Sequence, residues 1–169
     1  MESDFVFCPR CATRLEIRPI GHELRPVCPS CHFVHFRDPK VAVIALITWN
    51  QQVLLSLRGV EPQKGKWSIP GGYMDAGEMP EAALRREMRE EMALELGEVN
   101  FHSFLPMANG RGIVLVFTAT PASRRCEALP AYDDVSEVRW FGRDRLPPPE
   151  ELAFDTTPHL LEIWRLGRE

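Results

Sequence analysis

Two groups of residues have the types and spacing to do chemistry. The acids Glu87, Glu90 and Glu91 crowd together, and Cys8, Cys11, Cys28 and Cys31 form two C-x-x-C pairs separated by sixteen residues. Clustered carboxylates suit a hard dication such as magnesium or manganese, which prefers oxygen ligands and leaves positions for water and phosphate. Four thiolates at that spacing suit a tetrahedral zinc ion. Such an ion would be structural, because four protein ligands leave no open coordination position. A redox dithiol or a pair of disulfides is the competing reading. It is disfavoured because MESDFVFCPR has acids where a secretory leader has bases, which leads us to expect a cytoplasmic protein with reduced thiols. His22, His32 and His35 are possible but unneeded substitutes as ligands, and Cys126 is read as a plain side chain.

The elements that must position these groups are legible in outline. Residues 1–38 contain the cysteine quartet and little that could form an apolar core, so metal binding would have to supply their folding energy. Residues 39–169 form the second predicted domain. There Val41–Thr48 and Gln52–Leu57 read as a hairpin, and further strands are expected at Val99–Leu105, Gly112–Thr120 and Glu137–Phe141. The segment GKWSIPGGYMDAGEMP, rich in glycine, proline and acids, reads as a long structured loop. Pro80 fits the first turn of a helix that runs to about Met92, and Thr157–Leu166 reads as a closing amphipathic helix.

On the first helix, a turn of about 100° per residue puts Leu84, Met88 and Met92 on one stripe facing the core. Glu91 then falls roughly 20° from Leu84 and Glu87 roughly 60°, so two carboxylates border the buried face. Arg85, Arg86 and Arg89 point away from that edge by the same rotation, which leaves a cation as the partner these acids need. The plainer reading, a solvated acidic face, is weakened by the loop that precedes the helix.

That loop and helix together resemble the Nudix box, G-x5-E-x7-R-E-U-x-E-E-x-G-U with U a bulky aliphatic residue. Gly72, Glu78, Arg86, Glu87, Glu90, Glu91 and Leu94 stand at its positions, with Met88 in the first aliphatic place. Arg58, Pro62, Gly65, Trp67 and Pro70-Gly71-Gly72 resemble the approach to the box. Ala93 departs from it, standing where the family has glycine. The resemblance implies an α/β fold, a Nudix α/β/α sandwich with a mixed sheet, here preceded by a small zinc ribbon. It implies that Glu87 and Glu91 bind two or three Mg2+ or Mn2+ ions, with Glu90 as a further ligand or water-positioning group and the Gly72 carbonyl completing the site. Arg86 and Glu78 would support them, and Gly71 and Gly72 would let the chain approach the ions and phosphates closely. The general base lies outside the box in many members; Glu137 is the candidate and Glu90 its competitor. Arg58 would contact phosphate and Tyr73 would stack on a base.

The ribbon and the tail LPPPEELAFDTTPHLLEIW resemble a zinc-ribbon subgroup that includes ADP-ribose and FAD pyrophosphatases. The resemblance implies cleavage of a pyrophosphate linkage to AMP and a phosphorylated remainder. NADH pyrophosphatase is the alternative, disfavoured here because their SQPWPFPxS stretch is replaced by FHSFLPMANG. A Nudix-fold sensor without turnover is a further reading, against which the intact acids stand. The net charge of −4 and the balance of six Lys or Arg against five Asp or Glu in residues 1–40 make nucleic acid an unexpected partner. Phe5, Phe7, Phe33 and Phe36 are expected to line the ribbon's apolar seam or dock it. With 44% hydrophobic and 26% charged residues, the chain has an ordinary globular composition and no membrane-spanning run. A homodimer is expected by family analogy.

Overall fold

The computed structural model describes residues 5–107, 109–123 and 134–167. Cys126 lies outside them. The chain divides into two compact units, Met1–Asp38 and Pro39–Glu169.

The first unit is built on a hairpin of β1 (Glu16–Ile20) and β2 (Glu23–Val27), turning at Gly21 with φ +62°. Two similar knuckles accompany it. In one, the Ala12 N–H donates to the Cys8 carbonyl and the Cys8 N–H to Thr13; in the other, the His32 N–H donates to Cys28 and the Cys28 N–H to Phe33. Ala12 and His32 both adopt left-handed backbone, with φ of 56° and 59°. The expectation of an aromatic seam is not met: Phe5, Phe7 and Phe36 are all exposed. The buried positions of this unit belong instead to Cys8, Val27 and Cys28. The reason is size, since a unit this small has too little interior to enclose four phenyl rings.

The second unit contains β3 (Lys40–Trp49), β4 (Gln52–Arg58), β5 (Trp67–Ser68), β6 (Gly71–Tyr73), α1 (Pro80–Met92), β7 (Leu96–Pro106), β8 (Gly112–Pro121), β9 (Val135–Gly142) and α2 (Thr156–Arg165). The path β5-β4-β3-β8-β7 is mixed, because β3 and β8 run parallel while the other pairs are antiparallel. β9 adds to β4. At the β3–β4 hairpin, Asn50 and Gln51 both have positive φ, as a tight two-residue turn needs.

Alternation along the strands sends side chains to two separate cores. Val43, Ala45, Ile47, Leu54, Phe117 and Ala119 pack with Ala83, Leu84, Met88 and Met92 of α1. Leu46, Val53, Leu55, Val114 and Val116 pack with Leu160, Leu161 and Trp164 of α2. The result is a helix, sheet, helix sandwich. Leu84, Met88 and Met92 are fully buried, each stabilising the fold by about 1.5–3 kcal/mol, so an acid at Met88 would detach α1.

The segment read as one long loop is partly sheet. β6 pairs with the first half of β3, matching Val43 with Gly72 and Ile44 with Gly71, while β4 meets only the end of β3 at Thr48 and Trp49. Glycine makes this possible. A Cβ on Gly71, whose φ is +146°, would stand 2.0 Å from the Val43 carbonyl oxygen. The missing side chains that hid a strand pattern are what permit the pairing.

Candidate active site

β6 and α1 place the box residues against one another. The Glu87 carboxylate lies directly over Gly72, where an added Cβ would stand 2.4 Å from its carboxyl carbon and Oε2. Any other residue at Gly72 would displace that acid.

Arg86 corrects the rotational reading that aimed it away from the acids. Its Nε and Nη2 donate to the two oxygens of Glu78 at 3.0 and 2.9 Å. Nη1 reaches Glu87 at 2.8 Å and Glu90 at 3.0 Å, and Nη2 also donates to the Tyr73 carbonyl at 3.0 Å. Rotation about the helix axis locates Cβ alone, and a side chain this long can fold back across the face. The Arg86 fork holds the Glu78 carboxyl below its ordinary range. Glu78 is further fixed by the Asp75 N–H, 3.2 Å from its Oε2. Burial raises the Glu87 carboxyl, with Arg86 opposing.

Glu91 stands apart from this network. Its Oε2 is buried with no hydrogen-bond partner among the described residues. Burial, and then the Glu87 charge, push its carboxyl up to about 8, against the Gly71 backbone N–H and the Arg58 charge. A buried carboxylate oxygen without a donor is costly unless a cation or proton meets it.

Asp134 is the residue that sequence reasoning missed. Its charge is among those that act on Glu91, and its carbonyl accepts from the Gly59 N–H at 2.8 Å. The available signal was an acid immediately before β9, opposite the end of β4.

Glu137 was expected to serve as the base, but it belongs to the other side of the sheet. Val138 and Trp140 pack with the α1 core, so Glu137, Arg139 and Phe141 face the α2 side. There the Arg139 guanidinium bonds Glu137 and lies 5.2 Å from the Trp67 ring centre. β9 is apolar on both faces, and its parity is therefore ambiguous from sequence.

Tyr73 is exposed, with Lys40 Nζ 4.9 Å above its ring. Arg58 donates from Nε to the Pro62 carbonyl at 2.7 Å. At the end of α1, Ala93 takes the left-handed conformation (φ 51°, ψ 32°) that glycine would adopt more cheaply, and its N–H returns to the Arg89 carbonyl.

In the first unit the four cysteine sulfurs lie within 4.8 Å of one another, the only such gathering of three or more metal-binding side chains among the described residues. Separations are 3.6 Å for Cys8–Cys31, 3.4 Å for Cys11–Cys28 and 3.5 Å for Cys11–Cys31. Sulfurs about 2.3 Å from a central zinc stand about 3.8 Å apart, whereas a disulfide holds them at about 2.05 Å. All four thiols are free. The Arg10 and Cys31 N–H groups point at the Cys8 and Cys28 sulfurs, each at 3.4 Å, as donors to thiolate do.

A family model for the NUDIX domain matches residues 38–161. The chain belongs to that family. Among solved structures it is similar to a NUDIX hydrolase from Nitrosomonas europaea, with a TM-score of 0.83 and 28% identity over 97% of this chain and 92% of that one. A MutT NUDIX hydrolase from Burkholderia pseudomallei is 29% identical, with a TM-score of 0.62 over 74% of this chain and 97% of that one. NAD-capped RNA hydrolase NudC of Pseudomonas aeruginosa is 30% identical over 96% of this chain and 56% of that protein. The protein of the same name from Deinococcus radiodurans is 30% identical over 87% of this chain and 53% of its own length. This NUDIX chain thus spans little more than half the length of those curated relatives. No described helix is long and apolar enough to cross a membrane.

Proposed function

We propose that this protein hydrolyses the diphosphate bridge of a nucleotide conjugate, releasing AMP and a phosphorylated remainder. The observation that carries the reading is the buried, unpartnered oxygen of Glu91 beside Glu87 on a helix anchored over Gly72. That arrangement fits a hard dication, with Glu87, Glu91 and the Gly72 carbonyl as its ligands, joined by Glu90 once it leaves Arg86 Nη1. Bound Mg2+ or Mn2+ would neutralise the phosphate oxygens and make a water more acidic. The rest falls to the chain. Arg86 and Glu78 orient the carboxylates, and Arg58 donates to a phosphate. Glu90 or Asp134 takes the proton from the attacking water, Glu137 being on the opposite face. The water oxygen joins one phosphorus, and the bridging oxygen departs with the other.

For the conjugate, the names of the NudC relatives favour an NAD cap on RNA, and NADH is the matching free dinucleotide to test. The tail resemblance favours ADP-ribose or FAD. The cysteine quartet would hold a structural zinc ion, and family analogy favours a homodimer, which sedimentation would detect. The test is a panel of NADH, ADP-ribose and FAD, scored for AMP, and NAD-capped RNA, scored for nicotinamide mononucleotide and 5′-monophosphorylated RNA, each with Mg2+ or Mn2+. Metal-dependent cleavage of at least one, abolished in Glu91→Gln, supports the reading. Tight nucleotide binding without turnover would replace it with a sensor.

A further inference from the structure

Phe154 has a backbone that is expensive for its residue type. Its φ is +55°, a left-handed conformation that disfavours a bulky aromatic and that glycine or asparagine would adopt more readily. The ring gains little core burial in return. It is 39% exposed and belongs to neither hydrophobic core. Such outliers persist where the surroundings impose them, often beside functional sites.

Here the surroundings do impose it. The Ala153 N–H donates to the Trp67 carbonyl at 2.7 Å, Leu152 bridges to Trp67 in parallel, and the Phe154 carbonyl accepts from the Thr157 N–H at 3.2 Å. The backbone leading into Phe154 is thereby fixed beside β5. Arg58, at the end of β4, is fixed to the same strip through its N–H to the Lys66 carbonyl at 3.0 Å. Its guanidinium lies 4.9 Å from the centre of the Phe154 ring, and its Nε is engaged by the Pro62 carbonyl. Ring and carbonyl together hold the guanidinium in one place. Its two terminal nitrogens make no hydrogen bond among the described residues. A planar fork with unspent donors matches the geometry of a phosphate.

We propose that Phe154 is a positioning residue for Arg58, holding its guanidinium so that the terminal nitrogens meet a phosphate of the substrate diphosphate beside α1. The inference rests on the diphosphate-hydrolase reading and adds a residue outside the box motif. Arg58 stands opposite Val135 at the end of β4, next to Asp134, whose carbonyl accepts from the Gly59 N–H, and its charge is among those that act on Glu91.

The test uses the full chain and α,β-methylene-ADP with Mg2+ as the binding probe, measured by titration calorimetry, alongside kcat and KM on the panel's best substrate. Phe154→Leu should weaken the probe and raise KM by about five- to tenfold, the size expected when a partly desolvated cation–π contact is lost. Its kcat should change little and its Tm should stay within a few degrees of wild type. Phe154→Trp, which keeps the aromatic face, should restore the affinity. In a double-mutant cycle, Phe154→Leu should add nothing once Arg58→Ala is present. An unchanged probe affinity in Phe154→Leu, or losses that multiply in the double variant, would overturn the proposal while leaving the hydrolase reading standing. If the wild-type chain bound no methylene-ADP and released no AMP, both would fall together.

Discussion

Replacing Glu91 with Gln should stabilise the metal-free protein at alkaline pH while removing its response to metal. Burial and the Glu87 charge hold the Glu91 carboxyl at about 8, against an ordinary glutamate value of 4.5. A pKa raised by folding favours the folded state fully below the unfolded value, and the advantage is lost as pH rises through the folded value. Each pH unit between the two is worth about 1.4 kcal/mol, so ionising Glu91 costs at most about 4–5 kcal/mol. Local relaxation and water entry reduce this to roughly 2–4 kcal/mol. The amide carries no charge and can still accept the Gly71 N–H. At pH 5, about half a unit above the unfolded value, the folded wild-type carboxyl is neutral too, with Oε2 equally unpartnered, and the two proteins should melt within about 3 °C of each other. At pH 9 the chelator-treated Gln variant should melt roughly 5–10 °C higher, at about 2–4 °C per kcal/mol for a chain of this size. Added Mg2+ should raise the wild-type Tm at pH 8 and leave the variant unmoved, because only a ligand that binds the folded state stabilises it. Thermal melts between pH 5 and 9, with and without Mg2+, measure all of this. A gap that does not change with pH, or a wild type more stable than the variant at pH 9, would show that Glu91 is not ionising against its burial. AMP release should fall by orders of magnitude in the variant.

Gly72→Ala should reduce both metal affinity and turnover at least tenfold, because its Cβ would enter the space of the Glu87 carboxylate; calorimetric titration with Mn2+ checks this. Glu137→Gln should keep kcat within about threefold of wild type, since its side chain faces the α2 side of the sheet; a loss of 100-fold would restore it as the base. Ala93→Gly should raise stability by about 0.5–1 kcal/mol in a denaturant melt by relieving the left-handed cap, with activity unaffected. Replacing Cys8 and Cys28 with Ser should lower zinc content and the solubility of the chain, measured by elemental analysis of the purified protein and by sedimentation, because the remaining two thiolates cannot close a tetrahedral site.

What could be read from the sequence divides along physical lines. The limits of α1 were legible because Pro80 starts a run of helix formers whose apolar stripe is complete at Met92. The cysteine quartet was legible because ligand spacing is local and few other structures use it. β6 was hidden, since Gly71 and Gly72 have no side chains to alternate and their pairing with β3 depends on close backbone approach. Arg86 was misdirected because a helical rotation fixes a direction for Cβ and says nothing of where a guanidinium several bonds away will settle. Glu137 was misassigned on parity, as both faces of β9 carry apolar residues and nothing local distinguishes them. Asp134 and Phe154 were missed because their relevance comes from partners distant in sequence, Glu91 for one and Arg58 for the other.

The carboxylates of α1 are proposed to gather a hard cation where a diphosphate docks. Anomalous diffraction from crystals soaked in Mn2+ and α,β-methylene-ADP would locate that cation. Manganese density should be bounded by Glu87, Glu91 and the Gly72 carbonyl, with the analogue's phosphates against it. Crystals that held the analogue while those carboxylates touched only Arg86 and protons would contradict the proposal.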